Sequence, residues 1–434
     1  MQQFPLCWLA MRGVWVAVMV WCVGSGCAEP TLPLRQFLQT PDSRRERLQS
    51  ALFSQDNEYA RLRLSHYGLT SEGGWLRLPV FAPMTAVILA NGAAGAREAS
   101  LEPSLPLSGE DGAEENALRA ALWSIGRRAF FHYPAQLVSG FDRVRKEPSV
   151  ARDYGLWTGT IPTGDQQLGG LLEVSLPDGS QRLATTCATC HAAPEGRTEI
   201  AAGAANESLD LGKLGADASG QIEGPPLRWG MGRLDTSPDG IDNPAAIPDL
   251  RNVSSQRFLH HDATLRNDLF ALALRIETLL VTTYQEGVRP PVEVALGLAV
   301  YVWDLASSSA SPAAPEADPG EVLFAQHCAR CHQPPSYAGD PVALSTIATH
   351  PALGVSTERG TGYYRTPSLR GARTRHQFFH HGALSSVRAV LDPGRLLESY
   401  REGRHGPGAV LGHPFGINLP AAERAALTAF VESL

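Results

Sequence analysis

Cys187-Ala188-Thr189-Cys190-His191 and Cys328-Ala329-Arg330-Cys331-His332 write one five-residue pattern twice in a single chain. Two thiols three residues apart can add to the two vinyl groups of one haem, and the adjacent imidazole then reaches the iron from the same side. The pattern therefore predicts two covalently attached haem c groups, on Cys187 and Cys190 and on Cys328 and Cys331, with His191 and His332 as iron ligands. A zinc site would need two further soft ligands per metal. The remaining cysteines, Cys7, Cys22 and Cys27, all lie in or at the end of an N-terminal leader.

What flanks the two motifs is also duplicated. Ile247-Pro248-Asp249-Leu250-Arg251 leads to Phe258-Leu259-His260-His261, and Thr366-Pro367-Ser368-Leu369-Arg370 leads to Phe378-Phe379-His380-His381. Each half then closes in a fifteen-residue amphipathic stretch from Pro to Leu, 291–305 and 420–434. The pairs Leu298/Leu427, Tyr301/Phe430, Val302/Val431 and Leu305/Leu434 trace one apolar helix face. A repeat of motif, Pro-x-Leu-Arg segment, Phe-x-His-His and closing helix predicts two cytochrome c-like lobes, residues 166–305 and 320–434. Residues 306–319, with Ser307–Ser309 and Pro312, Pro315 and Pro319, read as the linker.

The approach to each motif differs. Gly320–His327 reads as a short helix, whereas Leu171–Leu176, the turn at Pro177-Asp178-Gly179 and Arg182–Ala184 read as a β-hairpin inserted in the first lobe. The fold class expected is mainly α, with an unassigned N-terminal region, 28–165, that has helical stretches around Arg44–Phe53 and Ala117–Phe131.

With 42 Gly, 32 Pro and 7% aromatic residues the chain reads as loop-rich, and a net charge of -7 argues against nucleic acid as partner. A redox protein or a small-molecule oxidant fits better. Arg12, the apolar run Val14–Val23 and Gly24-Ser25-Gly26-Cys27 read as an export signal over residues 1–27. The end of that signal offers Cys27 as a lipid anchor, with a plain secretory signal as the alternative. The expected location is the bacterial periplasm, free or lipid-anchored. Leu78–Ala90 is too short to span a bilayer and is broken by Pro79 and Pro83.

The sixth position on each iron divides electron carriers from centres that bind oxidants. Methionines beyond the leader are Met84 and Met231, both outside the second lobe. Its candidate ligands are therefore His350, His376, His380, His381, His405 and His413, and His413, just before the closing helix, is favoured. The same offset in the first lobe holds Tyr284, with Met231, His260 and His261 as other candidates. The first site is thus expected to be the less firmly closed. Glu223, Asp235, Asp239 and Asp262 stand as equal candidates for a general acid.

Tyr364–Gly371 through Phe379-His380-His381-Gly382 resembles the second haem domain of the bacterial di-haem cytochrome c peroxidase and MauG superfamily, whose usual form is Pro-Ser-Leu-Arg-Asn followed by Phe-His-Asp-Gly-Ser. Gly412-His413 followed by Leu419-Pro420 and a terminal helix is similar to the di-haem rubber oxygenases. The resemblance implies a peroxidase- or oxidase-like protein in which one haem relays electrons to another that meets the oxidant. A non-enzymatic electron carrier and an oxygenase of an apolar substrate are the alternatives. The chain departs from the superfamily in having neither Met nor Tyr between Gly382 and Tyr400, and no Phe-Trp-Asp-Gly-Arg after its first motif.

Overall fold

A computed structural model describes residues 34–81, 86–88, 112–138, 141–175, 181–220, 224–237, 239–306 and 318–434. The leader with Cys27, Met84, Glu223 and nearly all of the linker lie outside the described residues. The chain begins with α1 (Leu34–Gln39), α2 (Arg44–Ala51) and α3 (Glu58–His66), the last capped by Asn57, whose Oδ1 accepts from the amide of Ala60 at 3.0 Å. The long helix α4 (Gly112–His132) follows.

Two four-stranded sheets are drawn from strands that precede α4, lie between α4 and the first motif, or follow just beyond it. β1 (Ala86–Ile88), β2 (Gln136–Val138), β5 (Leu171–Ser175) and β6 (Gln181–Thr185) form one, in the antiparallel order β1-β5-β6-β2. β3 (Thr158–Thr160) and β4 (Gln166–Leu168) join β7 (Ala192–Glu195) and β8 (Glu199–Ala202) in the other, in the order β4-β3-β8-β7. The expected hairpin is β5–β6, with Leu171 opposite Thr185.

These sheets, with three two-stranded pairs, overturn the mainly α expectation: the molecule is 42% helical and 15% strand. The reason is local. Most strands run only two to five residues and are set by turns, so no long alternating run announces them.

The second motif is reached through α10 (Pro319–His327), and the chain ends in α14 (Ala421–Glu432), which lies across α10. Gly320 permits the crossing, because a Cβ there would fall 2.3 Å from the carbonyl oxygen of Ala426. Phe324 on α10 meets Phe430 on α14 at 5.2 Å. The first half repeats this contact with other partners. Helix α4 lies across α9 (Val292–Trp303); a Cβ on Gly126 would fall 1.8 Å from the carbonyl oxygen of Gly297, and Phe130 meets Tyr301 at 5.6 Å.

The two Phe-x-His-His segments form matching turns. β11 (Phe258–Leu259) pairs with β12 (Leu265–Arg266), placing Leu259 opposite Leu265, and Phe378 bridges Leu384 in the same way. Left-handed backbone falls at His260 and Ala263 in one turn and at Phe379 and Gly382 in the other. Structural equivalence therefore pairs His261 with His380, one residue out of step with the sequence alignment. The turns also cross-link the lobes reciprocally: the Ala246 amide donates to the His380 carbonyl at 2.8 Å, and the Arg365 amide to the His261 carbonyl at 2.9 Å.

The N-terminal helices close over this junction. The Phe53 amide donates to the Thr264 carbonyl at 2.9 Å, and the Tyr59 amide to the Glu358 carbonyl at 2.8 Å. Arg44 and Glu277, both 2% exposed, form an ion pair at 3.1 Å between α2 and α8 (Leu269–Thr283). Such a buried pair fixes register more than it adds stability. Among the described residues no helix is long and apolar enough to cross a membrane.

Candidate functional site

Cys187–His191 forms a single helical turn, α6. Thr186 and Thr189 both donate through Oγ1 to the carbonyl of Gly170, at 2.9 and 3.1 Å, and the Thr186 amide donates to Thr189 Oγ1 at 3.2 Å. Gly170, at φ +66°, lets the chain come this close; a Cβ there would fall 2.5 Å from the Thr189 nitrogen. No disulfide joins the four motif cysteines. Burial pushes the Cys187 thiol up to about 11 and the Cys190 thiol up to about 12.

Each motif histidine is held by the carbonyl of an equivalent proline. His191 Nδ1 donates to the carbonyl of Pro248 at 3.0 Å, and His332 Nδ1 to the carbonyls of Pro367 and Tyr337, each at 3.1 Å. Pro248 and Pro367 occupy the same place in the duplicated Pro-x-Leu-Arg segment. A carbonyl can only accept, so Nδ1 carries the proton and Nε2 keeps a free lone pair, the tautomer that metal ligation requires. Burial, partly opposed by the Pro248 bond, lowers His191 to about 4 and keeps it neutral.

Across from His332 stands His413. Their ring centres are 6.4 Å apart at an interplanar angle of 53°. That separation would leave room for one metal ion held between the two rings. His413 Nδ1 is buried without a partner, and the residue is held in left-handed backbone at φ +48°. That strain is upheld from both sides. The His413 amide donates to the Ile347 carbonyl at 2.7 Å, and the fully buried Arg395 grips the loop, donating to the carbonyls of Val390, Val410, Gly412 and His413 at 2.6–3.0 Å.

The other histidines of the second lobe are differently engaged. His380 stacks on Tyr364 at 4.3 Å, His381 Nδ1 accepts from the Ala383 amide at 3.2 Å, and His405 Nε2 donates to the His381 carbonyl at 2.9 Å. With His350 they line a cavity of about 530 Å³. His376 is exposed.

Opposite His191 the picture changes. Among the described residues no ring pairs with His191 as His413 does with His332. Tyr284 donates to the Pro134 carbonyl at 2.7 Å and packs on Phe81, and Met231 is 58% exposed. His261 Nε2 donates to the Ala246 carbonyl at 3.1 Å, while His260 Nε2 accepts from Arg275 Nε at 3.0 Å. Of the candidate acids, Asp235 and Asp239 cap backbone amides in turns, and only Asp262 is wholly buried, its carboxyl raised by that burial.

Arg275, Arg395, Arg63 and Tyr59 were not singled out from sequence. Arg275 did leave a signal, as the one cation in the apolar run of α8, where it needs a buried partner. Among the described residues no three His, Cys, Asp or Glu side chains converge as a metal-ion cage.

Residues 317–434 match the family model for cytochrome c, and the match does not extend to the first motif. No curated protein matches the chain. Taken with the carbonyl-held His332, this match makes 317–434 a cytochrome c domain, a carrier of covalently bound haem c.

Proposed function

We propose that the chain is a di-haem c-type oxidoreductase in which a second-lobe centre, closed by His332 and His413, passes electrons to a first-lobe centre held by His191 and open to a small oxidant such as peroxide. The observation that carries this reading is the shared carbonyl anchor. His191 and His332 are fixed in one tautomer by prolines at equivalent positions, though only the second lobe belongs to the matched family. When bound, haem supplies a one-electron iron centre at each motif. The protein's part is to aim Nε2 of each histidine, to keep His413 opposed to His332, and to leave His191 without such a counterpart. The reciprocal backbone bonds between the turns support a rigid relay between the lobes. The leader supports export, to the periplasm or to a membrane surface through Cys27.

The test is spectroscopic and by mass. Each Cys-x-x-Cys-His peptide of the holoprotein should carry one haem, and cyanide or peroxide should perturb one centre of the two. Replacing Cys187 and Cys190 by Ala should remove that response and leave the low-spin centre. If only the second motif carries haem, the di-haem reading fails. If both centres are six-coordinate and inert to cyanide, the chain is an electron carrier without oxidant chemistry.

A further inference from the structure

Four arginines converge near the first motif with too little negative charge to match them. Arg63 is 6% exposed; its guanidinium lies 3.5 Å from the Tyr59 ring centre and its Nε donates to Thr278 Oγ1 at 3.2 Å. Tyr59 meets the His260 ring edge-on at 5.4 Å, and His260 accepts from Arg275. His260 adjoins His261, whose Nε2 donates to the Ala246 carbonyl at 3.1 Å, two residues before the Pro248 whose carbonyl holds His191 at 3.0 Å. Arg359 stands 3.9 Å from Asp262, and Arg365 follows the peptide that is bonded to His261.

Against these four cations the structure sets one buried carboxyl, Asp262, and the more exposed Glu358. Burial and neighbouring arginines depress Arg275 and Arg365, the latter to about 10. Four buried polar atoms in this cluster have no hydrogen-bond partner: Arg365 Nε and His260 Nδ1, and Arg359 Nε and Asp262 Oδ2, which face each other only as a loose ion pair at 3.9 Å. Buried guanidinium groups with unused donors and an excess of positive charge call for an anion, and planar forks match carboxylates best.

We propose that this cluster is the seat of the two propionate carboxylates of the haem at Cys187 and Cys190. The inference rests on the di-haem reading above and adds its consequence for assembly. The arginines come from the N-terminal region (Arg63), the first lobe (Arg275) and the second lobe (Arg359 and Arg365), so the acid edge of one haem ties all three together.

The experiment is a redox titration of the holoprotein and its Arg275→Gln, Arg365→Gln and Arg365→Lys variants. Removing a cation beside the first centre should favour its oxidised form about tenfold, a fall of about 59 mV for one electron, while the second centre keeps its potential. Arg365→Lys should recover part of the shift and serves if the glutamine variants fold poorly. A first-centre potential unchanged in all the variants overturns the proposal. So does a wild-type first-centre spectrum that shifts on adding inorganic phosphate, which would make the cluster a site for free anions. Absence of haem from the Cys187–His191 peptide would instead sink the di-haem reading beneath it.

Discussion

Arg395 Nη2 donates to the carbonyl of His413 at 3.0 Å, so the residue opposed to His332 is positioned by an arginine eighteen places earlier in the chain. The same Nη2 also donates to the Gly412 carbonyl, while Nε and Nη1 hold the carbonyls of Val390 and Val410. Replacing Arg395 with Leu leaves several buried carbonyls unmatched and should cost about 3 kcal/mol or more. The same variant should turn part of the second centre from low-spin to high-spin. Denaturant melts and an absorption spectrum check the two effects separately, and a fully low-spin spectrum would show that Arg395 does not position the ligand.

Replacing His413 with Gly should make the second centre high-spin, and added imidazole should return it to low-spin by occupying the vacated space. The pairing of the two rings at 6.4 Å supports this assignment over the other histidines, each of which is stacked, bonded elsewhere or exposed. If His413→Gly leaves the spectrum unchanged and His380→Gly alters it, the ligand is His380.

The glycine crossings should be intolerant of any side chain. Gly320→Val places its Cβ 2.3 Å from the Ala426 oxygen and forces α10 off α14, at a cost of about 3 kcal/mol. Gly215 gives the control, since it lies within α7 (Leu211–Ser219) with no atom within 4 Å of a built Cβ. Gly215→Ala should stabilise by about 0.5–1 kcal/mol. Equal melting temperatures for the two variants would contradict the crossing argument.

Acid should unfold the protein through buried imidazoles. Burial lowers His381 to about 3 and His405 to about 4, with Arg233 adding to the effect in both. Burial and Arg365 bring His261 to about 3. An unfolded chain binds protons at these positions below about pH 6.5, and the folded chain does so only near pH 3–4. Stability is therefore complete above pH 6.5 and falls progressively as pH drops toward 4. A melting temperature constant from pH 7 to pH 4.5 would rule this out.

The duplicated motifs, the Pro-x-Leu-Arg segments and both closing helices could be read from the sequence because each is a contiguous pattern. Helix α4 as the counterpart of α10 could not. In the second lobe Phe324 precedes Cys328 by one helical turn, but in the first lobe Phe130 and Cys187 are separated by the strands β2–β6, which hide the relation. The register slip at the Phe-x-His-His turns has a similar origin. Side-chain identity pairs Phe258 with Phe378, whereas the turn is fixed by which residues bear left-handed backbone, His260 and Phe379. The arginine cluster was invisible for a third reason: its members are scattered from Arg63 to Arg365 and only the folded chain brings them together.

The paired bonds from Ala246 to His380 and from Arg365 to His261 have a further consequence. Two surfaces that meet so that each presents to the other what it receives form an isologous contact, the hallmark of a two-fold symmetric dimer. The chain is in this respect a homodimer written as one polypeptide. A true homodimer must carry every substitution twice, but the covalently joined pair is free to keep His413 in one half and omit its counterpart from the other. The backbone bonds that hold the halves in register are indifferent to such changes of side chain.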